Sequence, residues 1–370
     1  MKKIATLTFN NSVNYGALLQ TYALREYLNT SGFECDIINY QNPKMKYSRV
    51  SFMRKIASIV WKNLLARFFA SQKRRKRTSQ FRMTKMNIGQ KCVNLSDLKS
   101  LNSVYNIFIV GSDQVWNPFI NRGDSAFFLS FVSDENKRIS YAASFGSSKV
   151  DKSYLESNRQ DLEKFDAISV RENESAELLK AEIGIAAETV LDPVFLLTKD
   201  DWINKLNLNN SVSKVNDKYV LCYVMPVDFE LVNRIYHVAE SIAKGNNLKI
   251  ITLGKKNSKP IGIETLDRDA GPIEFANYIL NAEYIVTNSF HGTAFSIIFR
   301  KQFFTVLKKG FNLNLRLENL LGSFNLSSRI LYENNAGIVN LFPIDYSNVE
   351  PLLENRINQS QDFLINAAGR

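Results

Sequence analysis

Only two histidines and three cysteines occur among 370 residues, and not one acidic side chain occurs from Ile37 to Ser96. Cys35, Cys92 and Cys222 are far apart, odd in number and without CxxC spacing. That argues against a disulfide framework and a cysteine-built zinc site, and it suits a reducing compartment. No apolar run reaches the roughly 18 residues that a membrane span needs. The opening Met1–Phe9 has two lysines and a short mixed apolar run before Asn10, so it reads as a first strand and not as a signal peptide. A cytosolic protein is the expectation. Neither GxGxxG nor GxxxxGK[ST] is present, so dinucleotide and P-loop nucleotide binding lack their usual signals. Low-complexity tracts and internal repeats are also missing.

What is present is material for two cores. The length exceeds what one core supports, and 45% hydrophobic with 12% aromatic residues is ample for packing. The net charge of +11 is a local matter: fifteen Lys or Arg fall between Ile37 and Ser96, leaving 32 basic against 36 acidic side chains elsewhere. Within that stretch Phe52, Met53, Ile56, Ile59, Val60, Leu64 and Phe68 recur at three- and four-residue steps. Trp61, Leu65 and Phe69 widen the apolar face, and Lys73–Arg77 is an unbroken basic run. Residues 50–77 read either as a cationic amphipathic helix on an anionic membrane surface or as an ordinary packed helix with a solvated basic tail. No nucleic-acid-binding motif accompanies the charge, so nucleic acid is not an expected partner.

Apolar strands and helical patterns alternate along the chain. Strands are expected at Ile4–Phe9, Glu34–Tyr40, Tyr105–Val110, Arg138–Ser144, Asp166–Val170 and Glu188–Leu191, with helices at Ala17–Asn29 and from Glu172 to about Ile183. The polar, Asn-rich stretch Thr198–Lys218 reads as a connection, after which Tyr219–Val224 restarts the pattern. This predicts an α/β fold of two Rossmann-like domains facing across a cleft. The first is residues 1–195, interrupted by a basic insert at about 44–92; the second is 196–345; residues 346–370 form a C-terminal helix or tail.

Ligands of open α/β sheets bind beyond the carboxyl ends of the strands, so the loops there hold the candidates. Ile285–Phe299 runs from an apolar strand through Thr287, Asn288 and Ser289 to His291, then to small Gly292, Thr293 and Ala294. Such a strand, tight loop and helix start favours an anion at the helix N-terminus, and the imidazole moves protons near neutral pH. Asn10–Gln20, with Asn14, Tyr15 and Gln20, suits recognition of hydroxyl groups, or a plain N-cap by Asn14. Asp113 in Gly111–Pro118 is a candidate general base or a capping residue, and Trp116 offers a flat face of the kind sugars stack on. Arg171, between a strand end and a helix head, can grip a phosphate or carboxylate, or pair with Glu172 or Glu174. Asp192 either orients a catalytic group or caps the exit from its strand. His237 lies within an amphipathic helical pattern and reads as a packing or surface residue.

The stretches Asn14–Leu24, Gly111–Asn117, Ser140–Gly146, Ser169–Glu172, Leu191–Pro193 and Thr287–Thr293 resemble, in order, those of the polysaccharide pyruvyl transferase family. The resemblance covers most of residues 3–310 and excludes the basic insert and the last 60 residues. It implies a GT-B-like fold, with the first domain on the acceptor side and the second on the donor side. It also implies phosphoenolpyruvate as co-substrate, with neither cofactor nor metal, for building a pyruvate ketal across two hydroxyls of a hexose in capsule or exopolysaccharide synthesis. His291 is then the expected acid, Asp113 the base and Asp192 a supporting carboxylate. Arg171, Ser289, Gly292 and Thr293 form the expected donor-binding set. Asn14, Tyr15, Gln20 and Trp116 form the expected acceptor-binding set, for a sugar that a lipid can carry.

Overall fold

The computed structural model describes residues 2–41, 61–147, 150–208, 217–225, 228–254, 265–267, 269–310, 314–334 and 342–369, with only the backbone for 61–71 and 265–267. Phe52, Met53, Ile56, Ile59 and Val60 of the amphipathic pattern lie outside the described residues.

Thirteen described strands form two parallel sheets. The first contains β1 (Lys3–Leu7), β2 (Glu34–Tyr40), β3 (Ile88–Cys92), β4 (Ile107–Gly111), β5 (Lys137–Ala143), β6 (Ala167–Val170) and β7 (Glu188–Thr189). The second contains β8 (Tyr219–Val224), β9 (Lys249–Gly254), β10 (Thr265–Asp267), β11 (Tyr284–Thr287), β12 (Gln302–Leu307) and β13 (Ile330–Tyr332). Their orders are β3-β2-β1-β4-β5-β6-β7 and β10-β9-β8-β11-β12-β13. Counted within each half, the second reads 3-2-1-4-5-6, the doubly wound Rossmann order, and the first reads the same with a seventh strand added at its edge. Central strands must be apolar on both faces because helices cover both; accordingly every residue of β4 and β8 is buried.

The basic stretch is not an insert appended to the first half. It contains the crossover helix Trp61–Lys85, which leads into β3, and β3 pairs in parallel with β2. The expected plain connection after Thr198 holds the helix Lys199–Leu206, closed by a reciprocal capping box between Thr198 and Asp201. Trp202 of this helix is fully buried, stacking edge-on against Phe295 of the second half, 4.9 Å between centroids. One apolar core therefore runs through both halves, joining Leu18, Leu19 and Tyr22 to Trp202, Phe275 and Phe295. The helix Glu350–Ala368 returns to the first half, where Phe363 and Leu364 pack with Ile4, Leu24 and Ile139.

Three of the five side chains of Lys73–Arg77 are engaged within the protein. Lys73 pairs with Asp269 at 2.8 Å, and Arg77 with Glu274 at 3.0 Å, both in the second half. Arg74 lies 4.4 Å over the Tyr15 ring and donates to the Val13 carbonyl. Arg75 and Lys76 face solvent, and Lys73 is exposed despite its ion pair. No helix of the described residues is long and apolar enough to cross a membrane.

Candidate active site

Each sheet reverses direction between its first and fourth strands, at β1/β4 and at β8/β11. The loops after these four strands, Thr8–Asn14, Asp113–Gln114, Met225 with Asp228, and Asn288–Ser289, all line one cleft of about 1230 Å³. Asn14, Asp228 and Ser289 are the N-caps of the helices that follow. Four strand ends and three helix starts thus converge where such folds bind ligands.

His291 enters the cleft from the first turn of the helix Phe290–Ile298 and reaches across to the other half. Its imidazole occupies the space beside Gly16: a Cβ built there would lie 2.0 Å from Nδ1. Glycine at residue 16 is therefore required by this contact and not by helix formation. The opposite edge of the ring faces the first half too, with Nε2 3.7 Å from Asp192 Oδ2. That is beyond hydrogen-bond reach, and Nε2 is buried without a partner among the described residues. Burial pulls the imidazole below its usual range. Asp192 and Asp113 oppose that shift, while Arg171 and Arg316 add to it.

Asp192 is fully buried behind His291. Its Oδ2 accepts from Arg171 Nη1 at 2.8 Å and from Ser112 Oγ at 3.0 Å, while Oδ1 accepts from the Val194 amide. It caps the exit from its strand, the second of the two sequence readings, and stands 3.7 Å from His291 Nε2. Burial works against its charge, yet His291 and Arg171 keep its carboxyl below the usual range. Arg171 also holds Glu172, through Nε at 3.2 Å, and lies 4.5 Å over the Phe290 ring. Its grip falls on the protein's own carboxylates, against the expectation of a guanidinium open to the donor; only Nη2 is without a partner. Asp113 lines the cleft at the end of β4 and makes no side-chain hydrogen bond among the described residues. Ser112 and Asp113 both have positive φ, 20° and 64°. Such backbone is sparse for non-glycine residues and concentrates at functional sites.

His291, Asp113, Asp192 and Arg171 are brought together; several other expected residues are not. Trp116 is fully buried, stacked on Phe128 at 5.7 Å with its indole donating to the Phe127 carbonyl, so no sugar reaches its face. Tyr15 is buried between the halves, stacked on Phe275 and donating to the Ala270 carbonyl. Gln20 is buried and donates to Thr8, Ala17 and Thr21. Thr293 is locked to Thr305 at 2.8 Å in the core. Gly292 gives its amide to the Ser289 hydroxyl, and a Cβ on it would meet Thr287 at 2.8 Å, so it serves packing and not ligand approach. Asn14 and Ser289 do line the cleft, each with its side-chain oxygen spent on capping. His237 is exposed on its helix, as expected.

Three residues that sequence reading missed belong to the site: Phe119 and Arg316 on the cleft wall, and Gly16 against the His291 ring. Gly16 was legible only as a helix-start glycine. Phe119 follows Pro118 and stands 89% exposed on the cleft wall. Arg316, on the first turn of the helix Leu315–Gly322, lines the cleft beside His291 and Leu317. It lies beyond the last resembling motif, which is why no pattern pointed to it.

Two sheets of Rossmann order meeting through their switch points define the GT-B class of architecture. Residues 14–307 match the family described as polysaccharide pyruvyl transferase, and the chain belongs to that family, whose members are transferases acting in polysaccharide synthesis. No curated protein matches it. Solved structures that resemble it include Methanocaldococcus jannaschii UDP-GlcNAc 2-epimerase, at 12% identity and TM-score 0.48 over 98% of this chain and 94% of that one. Arabidopsis thaliana UGT89C1 matches at 9% identity and TM-score 0.49 over 98% of each chain. E. coli ADP-heptose LPS heptosyltransferase II matches at 10% identity and TM-score 0.39 over 98% of this chain and 100% of that one.

Proposed function

We propose that this transferase uses phosphoenolpyruvate to build a pyruvate ketal on two hydroxyls of a hexose destined for a capsular or extracellular polysaccharide. The observation that carries the reading is the facing of His291, from one half, and Asp113, from the other, across a single cleft. His291 protonates the vinyl methylene while a sugar hydroxyl attacks the central carbon and gives its proton to Asp113. Phosphate then leaves as the second hydroxyl closes the ring, whose proton departs with the phosphate. Asp192, fixed by Arg171 and Ser112, lies 3.7 Å from the imidazole's far edge and opposes the loss of its charge that burial causes. Incubating the enzyme with phosphoenolpyruvate and a panel of hexose acceptors should release inorganic phosphate and give ketal products by mass spectrometry. A nucleotide product from a nucleotide sugar, with phosphoenolpyruvate untouched, would overturn the reading in favour of glycosyl transfer.

The acceptor lies on the wall of the first half, where Phe9, Tyr40, Phe119 and Phe127 present aromatic surface. Phe119 takes the stacking role expected of Trp116. Phe119→Ala should raise the acceptor KM roughly five-fold, about 1 kcal/mol of lost ring contact, with the KM for phosphoenolpyruvate unchanged. An unaltered acceptor KM would place the sugar elsewhere. Peripheral attachment to an anionic membrane, near a lipid-linked acceptor, remains part of this reading. Its basis is the remaining basic charge of residues 42–85, since Lys73, Arg74 and Arg77 are held within the protein.

A further inference from the structure

Among the arginines around the cleft, Arg316 stands apart. Arg171 is engaged by Asp192 and Glu172. Arg316 lines the cleft, yet makes no hydrogen bond or ion pair among the described residues, and its Nε is buried without a partner. Two more buried nitrogens nearby lack hydrogen-bond partners among the described residues: Arg171 Nη2, and His291 Nε2, which is 3.7 Å from Asp192 Oδ2. The three side chains are electrostatic neighbours. Burial and the Arg171 charge both lower the pKa of Arg316, and both guanidinium groups depress that of His291. Three carboxylates also act on Arg316, namely Glu172, Asp113 and Asp192. None lies within ion-pair distance of it, and Glu172 and Asp192 are already held by Arg171. Native structures rarely leave buried donors unmet. Several beside one another, with two like charges among them, call for an acceptor that brings multiple oxygens and negative charge at once.

We infer that Arg316 is the receptor for a tetrahedral oxyanion, the phosphate of the donor, which it binds together with Arg171 Nη2, leaving His291 Nε2 for proton transfer. This rests on the reading of the cleft as a phosphoenolpyruvate site. A phosphate ester spreads up to two negative charges over three terminal oxygens, against one charge over two in a carboxylate, so two guanidinium groups favour the leaving group over the pyruvyl carboxylate. The same side chains stay in place when the C–O bond breaks and its electron pair passes to the phosphate oxygen. Arg316 thereby stabilises the charge that develops on departure. Because Arg316 makes no hydrogen bond or ion pair among the described residues, its removal should cost the fold little.

The test is calorimetric titration of the full-length protein with inorganic phosphate, and with pyruvate as a carboxylate-only probe, for wild type, Arg316→Gln and Arg316→Lys. Arg316→Gln should weaken phosphate binding by about ten-fold or more, as loss of a charged hydrogen-bonding partner does. Arg316→Lys should recover part of that loss, and pyruvate binding and the melting temperature should stay as in wild type. Phosphate affinity unchanged in Arg316→Gln, equal losses for phosphate and pyruvate, or no phosphate binding by wild type would each overturn the inference. Turnover separates it from the function on which it rests. Wild type that releases phosphate from phosphoenolpyruvate, with an Arg316→Gln variant of unchanged KM and phosphate affinity, refutes the role of Arg316 alone. Phosphate bound through Arg316 by a wild type inert toward phosphoenolpyruvate refutes the function and leaves the oxyanion site standing.

Discussion

Replacing Gly16 with alanine is expected to cut turnover by about 100-fold or more, as much as replacing His291 itself with glutamine. The methyl group would sit 2.0 Å from His291 Nδ1 and 2.2 Å from Cγ, well inside any permitted contact, so the imidazole must leave its place over Asp192. Taken alone, the exchange favours the helix Tyr15–Thr30, because alanine is a better helix former than glycine by about 1 kcal/mol. Activity and stability should therefore part company: turnover collapses while the melting temperature shifts little. Steady-state kinetics beside a thermal melt reads both. A Gly16→Ala enzyme with near-normal turnover would remove the imidazole from the chemistry.

Arg171→Met is expected to destabilise the protein by about 3–5 kcal/mol, measured by urea unfolding, because it strands Asp192 and Glu172 as buried carboxylates without their cation. Adding Asp192→Asn to Arg171→Met should restore part of that loss, since one of the stranded charges is then gone. Arg171→Lys keeps the charge but cannot bridge two carboxylates with a planar fork, so it should fall between wild type and methionine. A methionine variant as stable as wild type would show that the network contributes nothing to folding. Loss of donor affinity with full stability would return Arg171 to the open, ligand-gripping role its sequence position suggested.

The fold was legible because parallel sheets declare themselves: Glu34–Tyr40 and Tyr219–Val224 are strands with the bounds that their apolar runs predicted. What escaped were three of the four edge strands. β3, β10 and β13 are short and mixed in character, because an edge strand buries less and its composition says less. The site followed the same division. His291, Asp113, Asp192 and Arg171 were readable because each ends a strand in a loop of distinctive composition, and the structure places them in one cluster. Trp116 and Tyr15 misled because a motif aromatic beside a cleft can face either way. Both rings turned inward and stack on Phe128 and Phe275. Arg316 was invisible because its meaning lies in having no partner, and absence of a partner is a property of three-dimensional surroundings.

The core that passes through both halves bears on how such an enzyme can be rebuilt. Tyr22, Trp202 and Phe295 are shared between the halves, so cutting the chain between them would expose rings that neither fragment can cover. Chimeras that join the second half of one relative to the first half of another should aggregate when the junction is drawn through residues 209–216. They should become soluble when Lys199–Leu206 and Glu350–Ala368 travel with the surfaces they cover. Donor and acceptor specificity are then inherited as a single block, and exchange of one without the other has to proceed by single substitutions in the cleft wall.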